Sequence, residues 1–146
     1  LPVANGGTGA TSLTSNRVLT GNGTSAITDE ANLTFDGSTL TVTGTVSATE
    51  VTATSDERLK SDIKTIDNAL DKVMSMRGVT YTMRAEKGTG VIAQEVEKIL
   101  PEVVVNNEYK SVAYGNMVGV LIEAIKELKT EIDTHKQGCK CHGSSD

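Results

Sequence analysis

The chain has no Trp, one Phe and three Tyr, so aromatics make up only 3% of its residues. A core built from one copy would be poor in large side chains, which makes burial between chains plausible. It has two cysteines, Cys139 and Cys141, two residues apart near one end. That spacing gives no disulfide framework. No run of eighteen apolar residues exists, so no membrane-spanning helix is expected. The start, Leu1-Pro2-Val3-Ala4, lacks a basic region and an apolar run, so no secretory signal is read. It also lacks Met, which reads as a piece of a longer protein. Positive charge is not in excess. A formal net charge of -5 argues against binding nucleic acid by neutralising phosphates.

Charge is scarcest in residues 1–54, which carry only Arg17, Asp29, Glu30, Asp36 and Glu50. Thr, Ser, Gly and Asn fill the rest. Gly6-Gly7-Thr8-Gly9 and Gly21-Asn22-Gly23 are turn chemistry. Leu33-Thr34-Phe35, Asp36-Gly37 and Thr39-Leu40-Thr41-Val42-Thr43 read as strand, turn and strand. Thr45-Val46-Ser47-Ala48 and Val51-Thr52-Ala53 continue the β-branched pattern. Strands this short cannot bury enough surface alone. The segment is therefore either a flexible linker or a β-rich stem in which several copies intertwine, and the intertwined stem is the expectation here.

At Ser55-Asp56-Glu57-Arg58-Leu59-Lys60-Ser61-Asp62-Ile63 the composition changes to a charged, apolar-periodic segment. Ile63, Ile66, Leu70 and Val73 lie on one helical face, with Asp67 as the expected cap and Arg77-Gly78 as the expected stop. Val79 to Met83 alternates as a strand, Gly88-Thr89-Gly90 reads as a turn, and Val91-Ile92-Ala93 as a short strand. Gln94 to Leu100 reads as a helix stopped by Pro101, with Val96, Ile99 and Leu100 inward. Glu102 to Val105 and Glu108 to Val112 flank an Asn106-Asn107 turn. Last comes a helix over about 115–136, whose Val118, Leu121, Ile125, Leu128, Ile132 and His135 repeat at 3, 4, 3, 4, 3. That is the a/d seam of a coiled coil, with Glu123, Lys126, Glu127, Lys129 and Glu131 as a solvated flank. The competing reading is an amphipathic helix packed on its own domain.

The motifs stand in a fixed order. Ser55 to Ile63 has the form S-D-x-R-x-K-x-x-I. Gly90-Val91-Ile92-Ala93-Gln94-Glu95-Val96 follows, then Leu100-Pro101-Glu102-Val103-Val104, Lys110-Ser111-Val112-Ala113-Tyr114 and Leu121 to Leu128. Together they resemble the C-terminal intramolecular chaperone domain of phage tailspikes and tail fibres, the S74 peptidase family. Val3 to Ala10 with Asn16-Arg17-Val18-Leu19 is likewise similar to a stretch of phage tail-fibre and neck-appendage proteins.

The resemblance implies an α+β chain: a β-rich intertwined trimeric stem over 1–54, then a small α+β chaperone domain over 55–136 closed by a trimeric coiled coil. Residues 137–146 are expected to form a flexible tail. It implies a domain that trimerises the fibre, guides its folding, and releases itself by cutting Thr54–Ser55. Ser55 is then the nucleophile and Lys60 its general base. Alone, a Ser-x-x-x-x-Lys spacing carries little; the bland reading makes Ser55 a helix cap and Lys60 a solvated residue. The chemistry is sound: a serine hydroxyl needs a neighbour to take its proton, and a lysine can do so when buried or beside other cations. Gln94 and Glu95 are candidates to orient Lys60 or the oxyanion, against a plain hydrogen-bonding role. The implied partners are two further copies, the upstream fibre and a host receptor, without nucleic acid or membrane insertion. The implied place is the virion, after assembly in the host cytoplasm. The alternative is a trimerisation tip that does not cut. No cofactor is expected. His135, Cys139, Cys141 and His142 are metal-ligand types, but Cys-x-Cys-His lacks the usual structural-zinc spacing, so no metal is assigned.

Overall fold

A computed structural model describes the backbone of residues 1–140 and the side chains of residues 1–138. It divides into two compact units, one over Leu1–Asp56 and one beginning at Glu57.

The first unit is a three-stranded antiparallel sheet in the order β1-β2-β3, with β1 at Arg17–Thr20, β2 at Thr28–Phe35 and β3 at Leu40–Val42. The β2–β3 hairpin turns at Asp36-Gly37, as the Asp-Gly pair predicts. Asp36 Oδ1 accepts the N–H of Ser38 (2.9 Å) and of Thr39 (2.7 Å), and Gly37 takes φ 100°. Those two hydrogen bonds, that from Thr39 foremost, hold the Asp36 carboxyl below its usual range. Leu33 lies opposite Val42 and Phe35 opposite Leu40, so four apolar side chains share one face. Phe35 and Leu40 are nonetheless exposed, and no residue of this unit is buried. The expected strands at Thr45–Ala48 and Val51–Ala53 do not form; residues 45–56 hold no regular element. Their β-branched pattern has no neighbouring strand to pair with in one copy.

The second unit is mixed α+β. It contains α1 (Ala69–Met74), the β4–β5 hairpin (Val79–Met83, Glu86–Gly90), α2 (Ala93–Val96), the β6–β7 pair (Val104–Val105, Ser111–Val112) and the long α3 (Val118–Lys140). The buried core is Ala69, Val96, Leu100, Val103, Val104, Val120 and Ala124. No aromatic side chain enters it, in keeping with the composition.

Several local expectations are corrected. Gly88 and Gly90 lie inside β5 rather than in a turn. An added Cβ at Gly88 would stand 2.7 Å from the Tyr81 ring, and one at Gly90 would stand 2.5 Å from Tyr114 Oη. These glycines mark close approach by aromatic rings. The turn falls at Arg84-Ala85 instead, with φ 52° and 68°. Val91-Ile92 are not a strand, and Ala93 already opens α2. α1 ends at Met74, shortly before the expected Arg77-Gly78 stop, and Ile63, expected on its apolar face, lies outside it and is exposed. Asp67 does not cap it; its carbonyl and carboxylate take Lys72 Nζ at 2.7 and 3.4 Å. α3 runs past the expected end at 136, to Lys140, so the first residues of the expected flexible tail are helical.

α3 has two apolar faces. Val120 and Ala124 are buried, and with Glu127 they turn toward α1. The seam of Val118, Leu121, Ile125, Leu128 and Ile132 is exposed, Ile125 to 67%. The helix therefore packs on its own unit and still presents the heptad seam outward.

Candidate functional site

The composition changes at Ser55, and the second unit begins two residues later, at Glu57. Ser55 is the last residue but one of the first unit and Lys60 belongs to the second. Thr54, Ser55 and Lys60 are exposed, on a stretch without regular structure except a single 3-10 turn at Glu57–Leu59. That turn is closed by the Lys60 N–H donating to the Glu57 carbonyl at 3.0 Å. Ser55, Asp56, Arg58 and Lys60 each have an interaction partner.

The motifs that follow Lys60 in the sequence converge on one core. Val96 of α2, Leu100, Val103 and Val104 are buried together, with Val91 and Val112 packed against them. Polar contacts tie the same motifs. Tyr114 Oη accepts the Val91 N–H at 3.3 Å. Lys110 Nζ donates to Glu97 at 2.6 Å and also reaches Asn106 across the β6–β7 turn. The hydrogen bond from Lys110 holds the Glu97 carboxyl below its ordinary range.

Of the two supporting candidates, Gln94 is exposed on α2. Glu95 is engaged by Arg77, whose Nη2 and Nε donate to its two oxygens at 2.7 and 2.9 Å. These hydrogen bonds hold Glu95 below the usual glutamate range and raise Arg77.

Sequence reading missed the residue that ties the long α3 to the short α1. Glu127 sits among the charges read as a solvated flank. In the structure its Oε1 accepts the Ala69 N–H at 2.9 Å and its Oε2 the Leu70 N–H at 2.7 Å. These two backbone hydrogen bonds, that from Leu70 first, hold its carboxyl low. The available signal was spacing: Glu127 follows Val120 by seven and Ala124 by three, on their face.

Of the four metal-ligand types near the end, His135 is exposed on α3 and Cys139 lies in the same helix. Cys141 and His142 lie outside the described residues. Among the described residues, no three His, Cys, Asp or Glu side chains are grouped to hold a metal ion. No described helix is long and apolar enough to cross a membrane.

Residues 55–105 match the family model described as chaperone of endosialidase, Peptidase S74. Curated relatives include the long tail fiber protein Gp37 of Enterobacteria phage K3 and that of Enterobacteria phage T2. Each is 34% identical over 100 residues, covering 60% of this chain and 8% of the relative. The long tail fiber protein Gp37 of Salmonella phage S16 is 30% identical over 112 residues, covering 66% of this chain and 15% of the relative. The matched part is thus a small fraction of each of these proteins.

Proposed function

We propose that this chain, which carries a phage tail-fibre C-terminal chaperone domain, trimerises its fibre and then releases itself by one self-cleavage at Thr54–Ser55. The observation that carries the assembly half is the seam of α3. Five apolar side chains at a/d spacing stay exposed in one copy, on a helix whose other face is already packed. In water such a stripe is covered by like stripes, and three copies of α3 as a parallel coiled coil do so. The apolar face of β2 and β3, around Phe35 and Leu40, needs the same cover, which suits an intertwined trimeric stem.

The cleavage half rests on the family and on the residues. The family match begins at Ser55. Ser55 Oγ attacks the Thr54 carbonyl carbon, and Lys60 Nζ in its neutral form takes the hydroxyl proton. The Thr54–Ser55 amide breaks as its nitrogen is protonated, leaving an ester between Thr54 and the Ser55 oxygen. Water then opens that ester. A lysine is neutral more readily when buried. Lys60 is exposed in one copy, so neighbouring chains supply the burial, and cutting waits for assembly. Gln94 and Glu95 support the fold around α2 in this reading, rather than the reacting atoms. The mature fibre stays on the virion, and the chaperone domain leaves after cleavage.

A second reading, a trimerisation tip that never cuts and faces the host receptor, is favoured by the exposure of both Ser55 and Lys60. Intact mass of freshly expressed protein separates the two. The expected result is two pieces meeting at Thr54–Ser55 for wild type, with Ser55→Ala and Lys60→Ala whole. A wild-type trimer that stays whole overturns the cutting and leaves the tip.

A further inference from the structure

We infer that Glu127 is a positioning residue that fastens the arm bearing Lys60 to the helix that assembles the trimer. The inference rests, for its cleavage readout, on the Ser55–Lys60 reading above.

The arm runs from Glu57 to Asn68 and ends at α1. α1 has six residues, too few to hold a helical shape unaided. Its own cap position gives no help. Asn68 stands in the left-handed region (φ 48°, ψ 40°), and its side chain makes no capping hydrogen bond. The first two N–H groups of α1 are instead taken by both oxygens of one carboxylate from α3. Ala69 is fully buried, so its N–H has no easy exchange of Glu127 for water. Just upstream, Ile66 Cδ1 lies 3.4 Å from where a Cβ on Gly119 would stand. The end of the arm is therefore held by α3 at two levels, Gly119 and Glu127, about 12 Å apart along the helix axis.

The same helix turns its seam the other way. Ile125 and Leu128, on either side of Glu127 in the chain, are exposed. In the heptad that places Ile125 and Leu128 at a and d, Glu127 falls at c, off the seam. A change at Glu127 thus leaves the assembly face intact and loosens only the arm. Any shift or rotation of α3 on assembly is passed to the arm through two charge-assisted hydrogen bonds. Lys72 supports the ionised carboxylate and Asp67 opposes it, so both charges that bear on it lie on or beside α1.

The test uses the full chain. In a Ser55→Ala background, which stays whole, amide exchange and native mass are compared with and without Glu127→Ala. The expected result is a trimer of unchanged mass. The Ala69 and Leu70 amides exchange at least about tenfold faster, while α3 and β6–β7 do not change. With Ser55 restored, Glu127→Ala cuts between about tenfold and a hundredfold more slowly. Glu127→Gln, which keeps one acceptor oxygen, falls between. Unchanged exchange at Ala69 and Leu70, or an equal rise across α3 and β6–β7, overturns the inference. If wild type never cuts, the Ser55–Lys60 reading fails, and the exchange result alone decides the role of Glu127.

Discussion

Arg77 and Glu95 meet at two points, with Nη2 to Oε1 at 2.7 Å and Nε to Oε2 at 2.9 Å, and so join the chain just after α1 to the first turn of α2. Exposed ion pairs are usually weak, but a planar two-point pair holds direction as well as charge. An ammonium cannot reproduce that fork. Arg77→Lys is expected to lower the melting temperature slightly and Arg77→Ala more. High salt should shrink the gap between wild type and both variants. Thermal melts at low and high salt check this, and equal melts for all three proteins at low salt refute it.

In the second unit, acid should act through three glutamates. Glu127, Glu95 and Glu97 all bind a proton less readily when folded, chiefly through hydrogen bonds from the Leu70 N–H, Arg77 and Lys110 respectively. Their contribution is complete above the unfolded glutamate value of about 4.3. It drains as pH falls through their lower folded values. Melting temperature followed from neutral pH downward should therefore drop below about pH 4.3. Glu127→Gln should start lower and fall less steeply. A variant curve parallel to wild type through that window would falsify the assignment for Glu127.

Gly90→Ala should destabilise the second unit by about 1–3 kcal/mol, because the new methyl meets Tyr114. The Tyr114 oxygen stands 2.5 Å from the added Cβ, whereas ring carbon Cζ stands at 3.6 Å. Removing the hydroxyl should relieve the clash. Denaturant melts of Gly90→Ala, Tyr114→Phe and the double variant form a cycle, and the penalty of Gly90→Ala should be smaller in the Phe background. Strict additivity would mean that the hydroxyl is not the obstacle.

The two faces of α3 should separate by mutation. Val120 is fully buried, and Val120→Ala should cost about 2 kcal/mol of stability without changing the native mass. Ile125 is 67% exposed, and Ile125→Asp should leave the single-copy fold standing while abolishing the proposed trimer. Denaturant melts read the stability of Val120→Ala, and light scattering at micromolar protein reads the mass of both variants. A trimer that survives Ile125→Asp sinks the coiled coil.

The sequence by itself shows a change of composition at Ser55, where Thr and Gly give way to charge, and that is a change in what can be buried. It determined the Asp36-Gly37 hairpin, because an Asp side chain and a glycine make that turn locally. The mixed α+β character and the long closing helix were also legible, since periodicity is a property of the chain alone. Tertiary structure decided what depends on partners distant in sequence. Gly88 and Gly90 read as a turn until Tyr81 and Tyr114 are laid upon them. Glu127 reads as solvated until two N–H groups from a helix some 57 residues earlier need acceptors. Asp67 and Arg77 read as caps of α1, yet each spends its charge elsewhere, on Lys72 and Glu95. Local rules name the groups that need a hydrogen bond; only the packed chain chooses which partner arrives.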